Sequence, residues 1–187
     1  MTIFTDCIAQ DELFSHTTDM PDIVIIANNL RSTHNVGSLL RTADGMGVNK
    51  VYLTGYTPYP ASINDDRLPH LAQKIDKQIS KTALGAEKFV DWAQVEDAVS
   101  VISDLRLQGF KIVALEQAPG SVSLSKYISP NKIALVLGRE VEGVEDEILA
   151  ICDDIIEIEM KGQKESLNVI QAAAIAMYQL SISDNKF

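Results

Sequence analysis

Apolar residues along this chain fall into two patterns: short β-branched runs, and longer stripes at helical spacing. Ile23-Val24-Ile25-Ile26-Ala27 is wholly apolar, which suits a strand covered on both faces. After the polar loop from Asn28 to Thr33, Val36, Leu39, Leu40, Ala43 and Met46 recur along one helical face, and Gly47 closes that helix. Lys50 to Thr54 predicts a second strand and Phe89-Val90 a short one. Val95, Ala98, Val99, Ile102 and Leu105 predict a helix ended by Gly109. Lys111 to Glu116 and Lys132 to Leu137 are two more apolar strands, Val144 to Ile151 a helix, and Ile155 to Met160 a last strand-like run. The helix from Val169 to Leu180 is apolar on nearly every side, so one face is expected on a sheet and the other on a second copy of the chain. Ser166 is placed to cap it. Strands alternating with helices imply an α/β fold, a parallel sheet with helices on both faces.

Two stretches stand outside this alternation. Residues 1–21 are largely polar, with an apolar cluster at Leu13 and Phe14, and read as an arm or short helix ahead of a single domain over 22–187. Gly55 to Pro69 is rich in proline and turn formers, the composition of a long loop with a functional or mobile role.

Composition narrows the class. At 187 residues, 46% hydrophobic and 22% charged, the chain has the balance of a soluble globular protein. Met1 to Gln10 has neither a basic start nor an adequate apolar core for a signal peptide, and the last helix is too short to span a membrane. Cys7 and Cys152 form no CxxC pair, so the cytoplasm is the expected location. His16, His34 and His70 are scattered, and no metal site is expected. The net charge of −10 argues against broad attraction to nucleic acid, whose phosphates are met by Lys and Arg, but leaves room for a local basic patch.

In open α/β sheets ligands bind beyond the carboxyl ends of the strands. Three strands here run into unusual loops: Asn28 to Gly37, Leu137 to Gly143, and Met160 to Asn168. None carries GxGxxG or a Walker-type loop, which disfavours dinucleotide and ATP binding and leaves an uncharged or zwitterionic nucleoside cofactor open. Arg41 has Gly37, Ser38, Asp44 and Gly45 as its helical neighbours. Either the small residues leave a low surface for a substrate, or they serve tight packing while Arg41 pairs with Asp44. Glu140 and Glu142 could equally favour the positive start of a helix, and Asn35 could be a helix-start residue.

Taken together, Asn35-x-Gly37-x-x-x-Arg41-x-Ala43, Leu137-Gly138-x-Glu140-x-x-Gly143 and Ser166-Leu167-Asn168-Val169 resemble, in order and spacing, the three motifs of the SpoU (TrmH-type) RNA ribose methyltransferases of the SPOUT class. The likeness runs from about Asp22 to Leu180 and includes Lys81 to Glu87. It implies S-adenosylmethionine as cofactor, a ribose 2′-hydroxyl of tRNA or rRNA as acceptor, a C-terminal deep trefoil knot, and a homodimer with sites at the subunit interface. It further implies that Arg41 acts on the ribose hydroxyl, that Asn35 and Glu140 shape the acceptor pocket, and that Ser166 and Asn168 hold the third loop. The cofactor is expected against Leu115, Glu116, Gly138, Ile158, Met160, Ser166 and Leu167. Arginine holds its proton tightly, so orienting or polarising the hydroxyl is the more conservative role for Arg41.

The chain departs from the family pattern at Glu159, Val144 and Ile170-Gln171, none of them a proposed catalytic position. No sizeable basic domain precedes Asp22, so RNA affinity is expected from a patch of Arg31, Arg41, Arg67, Lys74, Lys77, Lys81, Lys161 and Lys164, or from an accessory protein. Tyr56 and Tyr59 are available for base stacking. Two functions remain open: an RNA methyltransferase, with tRNA favoured, and a catalytically silent or partner-dependent RNA-binding module of the same fold.

Overall fold

A computed structural model describes residues 21–63 and 65–182. Seven strands form one sheet in the order β3-β2-β1-β6-β4-β7-β5, and every pairing is parallel. They are β1 (Asp22–Asn28), β2 (Lys50–Thr54), β3 (Trp92–Val95), β4 (Lys111–Leu115), β5 (Val122–Ser123), β6 (Lys132–Leu137) and β7 (Asp154–Glu157). The helices are α1 (Thr33–Gly45), α2 (Pro69–Ala83), α3 (Ala98–Leu107), α4 (Asp146–Leu149) and α5 (Val169–Ser181). No helix among the described residues is long and apolar enough to cross a membrane.

Side chains alternate across a strand, and in β1 both sets are apolar and buried. Ile23, Ile25 and Ala27 join the core beneath α1, α2 and α5, whereas Val24 and Ile26 join the core beneath α3 and α4. β6 repeats this, with Ile133, Leu135 and Leu137 on one face and Ala134 and Val136 on the other. Each buried Ile or Leu contributes roughly 1.5–3 kcal/mol relative to exposure. A central strand buried on both sides has no face on which polar residues are tolerated, and so reads as a continuous apolar run.

Several boundaries differ from the sequence expectation. β3 is Trp92–Val95, not Phe89-Val90: Phe89 is exposed after a short 3-10 turn at Ala86–Lys88, while β3 pairs in register with Val51 to Thr54. Val95 therefore ends a strand, and α3 starts at Ala98, where the Asp97 carboxylate caps the N–H groups of Val99 and Ser100. α4 is only four residues, because the preceding chain is held in a turn across Arg139 and Gly143. β7 stops at Glu157, and Ile158 to Leu167 is irregular. α2 was not anticipated, since its buried stripe of Ala72, Ile79 and Ala83 is narrow and set among Lys, Gln and Ser. The arm expected over residues 1–21 lies outside the described residues except for Pro21.

α1 and α2 pack closely at Gly37. A β-carbon there would collide with the Ile79 carbonyl oxygen and the Thr82 hydroxyl. The Thr82 hydroxyl donates to the His34 carbonyl at 2.9 Å, tying the start of α1 to the end of α2. Gly37→Ala should therefore lower stability by about 1–2 kcal/mol, since overpacking outweighs the better helix propensity of Ala. The check is a lower urea midpoint at unchanged slope; an unmoved midpoint would show that the two helices part without cost.

Candidate active site

β6 lies between β1 and β4, so the loop after it emerges beside the loop after β1. The loop after β7 emerges on the far side of β4. The turn after β1 is fixed from below by Thr57, whose buried hydroxyl donates to the Ala27 carbonyl at 2.9 Å and accepts from the Leu30 N–H at 3.0 Å. Asn29 takes a left-handed conformation with φ of 58°. Its side-chain oxygen accepts from the Tyr56 N–H and its nitrogen donates to Glu145. Glu145 in turn pairs with Arg139.

The loop after β6 folds back on itself. Arg139 and Gly143 exchange backbone hydrogen bonds at 2.9 and 3.2 Å, and Gly143 has a φ of 74°. A β-carbon on Gly138 would strike the Gly143 carbonyl, and one on Gly143 would strike the Glu116 carboxylate. Both glycines are thus required by close approach. The Glu116 carboxylate completes the turn by accepting from the Val144 N–H at 2.8 Å and the Gln117 N–H at 2.9 Å.

That folding aims Glu140 at the start of α1. Its carboxylate accepts from the backbone N–H groups of Arg31 and Ser32, at 3.1 Å each, and from the Asn35 side-chain amide at 2.9 Å. Burial is the largest single influence on its pKa and pushes it up. The hydrogen bonds from Arg31, Asn35, its own N–H and Ser32 together outweigh that, so the group lies below its ordinary value. Glu140 is therefore a fixed anion at neutral pH and no proton donor. From the third loop, the Asn168 side-chain nitrogen donates to the Asn35 side-chain oxygen at 3.4 Å. One chain of side chains, Asn168 to Asn35 to Glu140, links all three loops.

Behind this chain lies an open cavity of about 180 Å³. Leu115, Glu116, Gly138, Ile158, Met160, Ser166 and Leu167 all line it, as does Glu140. Gln117, Arg139, Val141, Glu142, Gly143, Glu157, Val169 and Ala172, which the sequence did not single out for the cofactor, complete the wall. Four carboxylates against one guanidinium suit a ligand carrying positive charge and repel a polyphosphate. Five-residue spacing of Gly138 and Gly143, together with an acid directly after β4, was the readable signal for the wall's geometry.

Other positions part company with expectation. Asn168, not Ser166, caps α5: its side-chain oxygen accepts from the Ile170 N–H at 2.9 Å, while Ser166 lies exposed at the cavity. The helix starts at Val169, so the residue before it is the one in reach of its free donors. Arg41 is exposed on α1, does not line the cavity, and forms no ion pair with Asp44 among the described residues. Of its small neighbours, Gly37 is consumed by packing against α2 whereas Gly45 faces open space. Arg67 is withdrawn from any RNA-facing patch, because it chelates Asp65 and the Tyr59 and Pro60 carbonyls. Its guanidinium covers the Tyr59 ring at 3.6 Å, leaving Tyr56 as the more accessible ring.

A wholly parallel sheet, late strands inserted between earlier ones, and an acidic cavity at the strand ends define the chain as an α/β protein with a ligand-sized cleft where its three motif loops meet. The sequence model of the SpoU rRNA Methylase family matches residues 22–178. The chain belongs to this family, whose class is that of RNA-methylating enzymes. It is 30% identical over 84% of its length to a tRNA (guanosine(18)-2′-O)-methyltransferase of Aquifex aeolicus, 68% of which is covered. A crystal structure of the A. aeolicus TrmH/SpoU tRNA modifying enzyme superposes with a TM-score of 0.70 at 29% identity, covering 86% of this chain and 74% of that one. An AdoMet-bound rRNA methyltransferase from Sinorhizobium meliloti shares the fold, with a TM-score of 0.72 at 22% identity over 86% of this chain and 56% of that one. The chain spans 57–68% of the length of the curated relatives it matches.

The Glu140 contacts give a pH signature. Its pKa is lowered on folding, so its stabilisation is fully present above the unfolded value near 4.5 and is lost as pH falls through the folded value. Glu140→Gln should cost stability at pH 7 and much less near pH 3, measured by urea titration at both values. An equal cost at both would assign the loss to shape and not to charge.

Proposed function

We propose that this chain transfers a methyl group from S-adenosylmethionine to a ribose 2′-hydroxyl of RNA, with tRNA favoured over rRNA. The observation that carries this reading is the hydrogen-bonded chain Asn168–Asn35–Glu140, which joins the three motif loops over one acidic cavity in a SpoU-family chain. The cavity residues suit the cofactor by their chemistry: carboxylates face a ligand whose sulfonium and amino groups are cationic, and strand-end backbone offers polar contacts to an adenosine. When bound, S-adenosylmethionine supplies an activated methyl group. The protein's part is then mostly positioning, which can account for much of the barrier reduction.

Asn35, held between Glu140 and Asn168, presents a rigid amide edge to the acceptor ribose. Ser166 and Leu167 close the cofactor side. Arg41 is exposed and does not line the cavity of its own chain, which fits its delivery to the site of a second copy, where its charge orients and polarises the hydroxyl. The second copy fits the exposed face of α5. Ile175 and Tyr178 are 45 and 59% exposed on one face of α5, opposite buried Ala173, Met177 and Leu180, and Ile182, 46% exposed, follows just past its end. A deep trefoil knot belongs to the same reading, supported by the insertion of β6 and β7 between strands formed earlier.

The assay is labelled S-adenosylmethionine with unmodified tRNA and rRNA, followed by alkaline hydrolysis. Label in alkali-resistant dinucleotides marks ribose methylation. Arg41→Ala should abolish transfer while cofactor affinity stays nearly intact; parallel loss of both would remove the role given to Arg41. Ile175→Asp combined with Tyr178→Asp should convert a dimer to a monomer in sedimentation, and an unchanged profile would remove the α5 interface. The net charge of −10 favours a second reading, a partner-dependent RNA-binding module. Cofactor binding with no label in any RNA would select it.

A further inference from the structure

The cations of this chain are unevenly engaged. Arg31, Lys50, Arg67, Arg106, Lys111 and Arg139 each sit within ion-pair distance of a carboxylate. Lys74, Lys77 and Lys81 are all exposed and form no ion pair among the described residues. They lie three and four residues apart on one face of α2, so they are neighbours on the helix surface. Like charges at that spacing disfavour a helix, and among the described residues no carboxylate is within ion-pair distance of them. The one acid on α2, Asp76, is turned aside to accept from the Ala61 N–H at 3.0 Å. Lys81 has a plainer use, since a cation in the last turn suits the helix dipole. Lys74 and Lys77 sit mid-helix, where that benefit is absent.

The stripe also leads somewhere. α2 packs on α1 so that Thr82, next to Lys81, donates to the carbonyl of His34, and His34 adjoins Asn35. From Lys74 to Lys81 the helix rises about 10 Å, comparable to about three phosphates along one strand. The track thus runs toward the amide that meets Glu140 and Asn168.

We propose that Lys74, Lys77 and Lys81 form a phosphate-binding track that holds the RNA backbone flanking the acceptor nucleotide. The proposal rests on the RNA-methylating function above and identifies where an acidic chain keeps its local affinity for RNA. The occupant is the RNA itself, because a row of unpaired ammonium groups complements phosphates at regular spacing and reads no base.

The test pairs two charge-matched variants, Lys74→Gln with Lys77→Gln, and Lys126→Gln with Lys132→Gln. Lys132 opens β6 at the amino-terminal end of the parallel strands, opposite the end that carries the motif loops, and Lys126 adjoins Tyr127, which binds Asp154 at the start of β7. Binding of a fluorescently labelled unmodified tRNA transcript is followed by anisotropy across a salt series, with methyl transfer measured on the same samples. The α2 variant should weaken binding about tenfold or more at 0.1 M salt and shallow the salt dependence by about one to two. The control variant should leave both unmoved, and cofactor affinity should be the same in all. Equal losses in both variants, no loss in either, or no tRNA binding by the unaltered chain would overturn the track. Lysine-dependent binding without methyl transfer would instead sink the catalytic reading and leave the track standing. Transfer with lysine-independent binding would do the reverse.

Discussion

Everything at the site depends on β6 pairing with β1 on one side and β4 on the other. Sequence separates β6 from β1 by about a hundred residues, yet the ladder places the Gly138–Gly143 turn beside the start of α1. Only then can a carboxylate at position 140 collect the N–H groups of Arg31 and Ser32 and the amide of Asn35. A half-buried anion without such donors would be costly; with them it becomes the fixed point between two loops. The strand is placed by apolar burial on both faces, so the polar geometry rests on a hydrophobic ladder.

Charge is organised in the same spirit of separation. Carboxylates gather at the cavity, where Glu116 and Glu140 serve as hydrogen-bond acceptors for backbone and thereby hold turns in shape. Their sign also suits a cationic cofactor over a phosphorylated one. Among the described residues Arg41 on α1 and Lys74, Lys77 and Lys81 on α2 are exposed and unpaired, while Arg67 is locked into its own loop. A net charge of −10 therefore says little about any one surface of the molecule. Ion pairs exposed at the surface, such as Arg31 with Glu142, contribute little stability and mainly set local orientation.

Legibility varied with the kind of signal. Strands buried on both faces could be read directly, because each residue of β1 and β6 had to be apolar. α1 was equally plain from its spacing. α2 escaped notice because three buried positions suffice when a helix covers the edge of another helix, leaving the rest polar. The strand placed at Phe89-Val90 shifted to Trp92–Val95 because the available partner, β2, fixes register by pairing and not by local composition. The cap assigned to Ser166 moved to Asn168, since a helix start depends on where the incoming loop ends.

By itself, then, the chain's sequence determined the parallel α/β class, both faces of the central strands, and the three motif loops that mark its family. These follow from periodicity and residue chemistry, which are local. The tertiary structure alone decided that Asn168, Asn35 and Glu140 join in one chain, that Gly138 and Gly143 are demanded by each other and by Glu116, and that Gly37 serves helix packing while Arg41 faces outward. Those outcomes depend on distances between residues far apart in the chain. No local pattern carries them, because they are set by the order in which strands lie side by side.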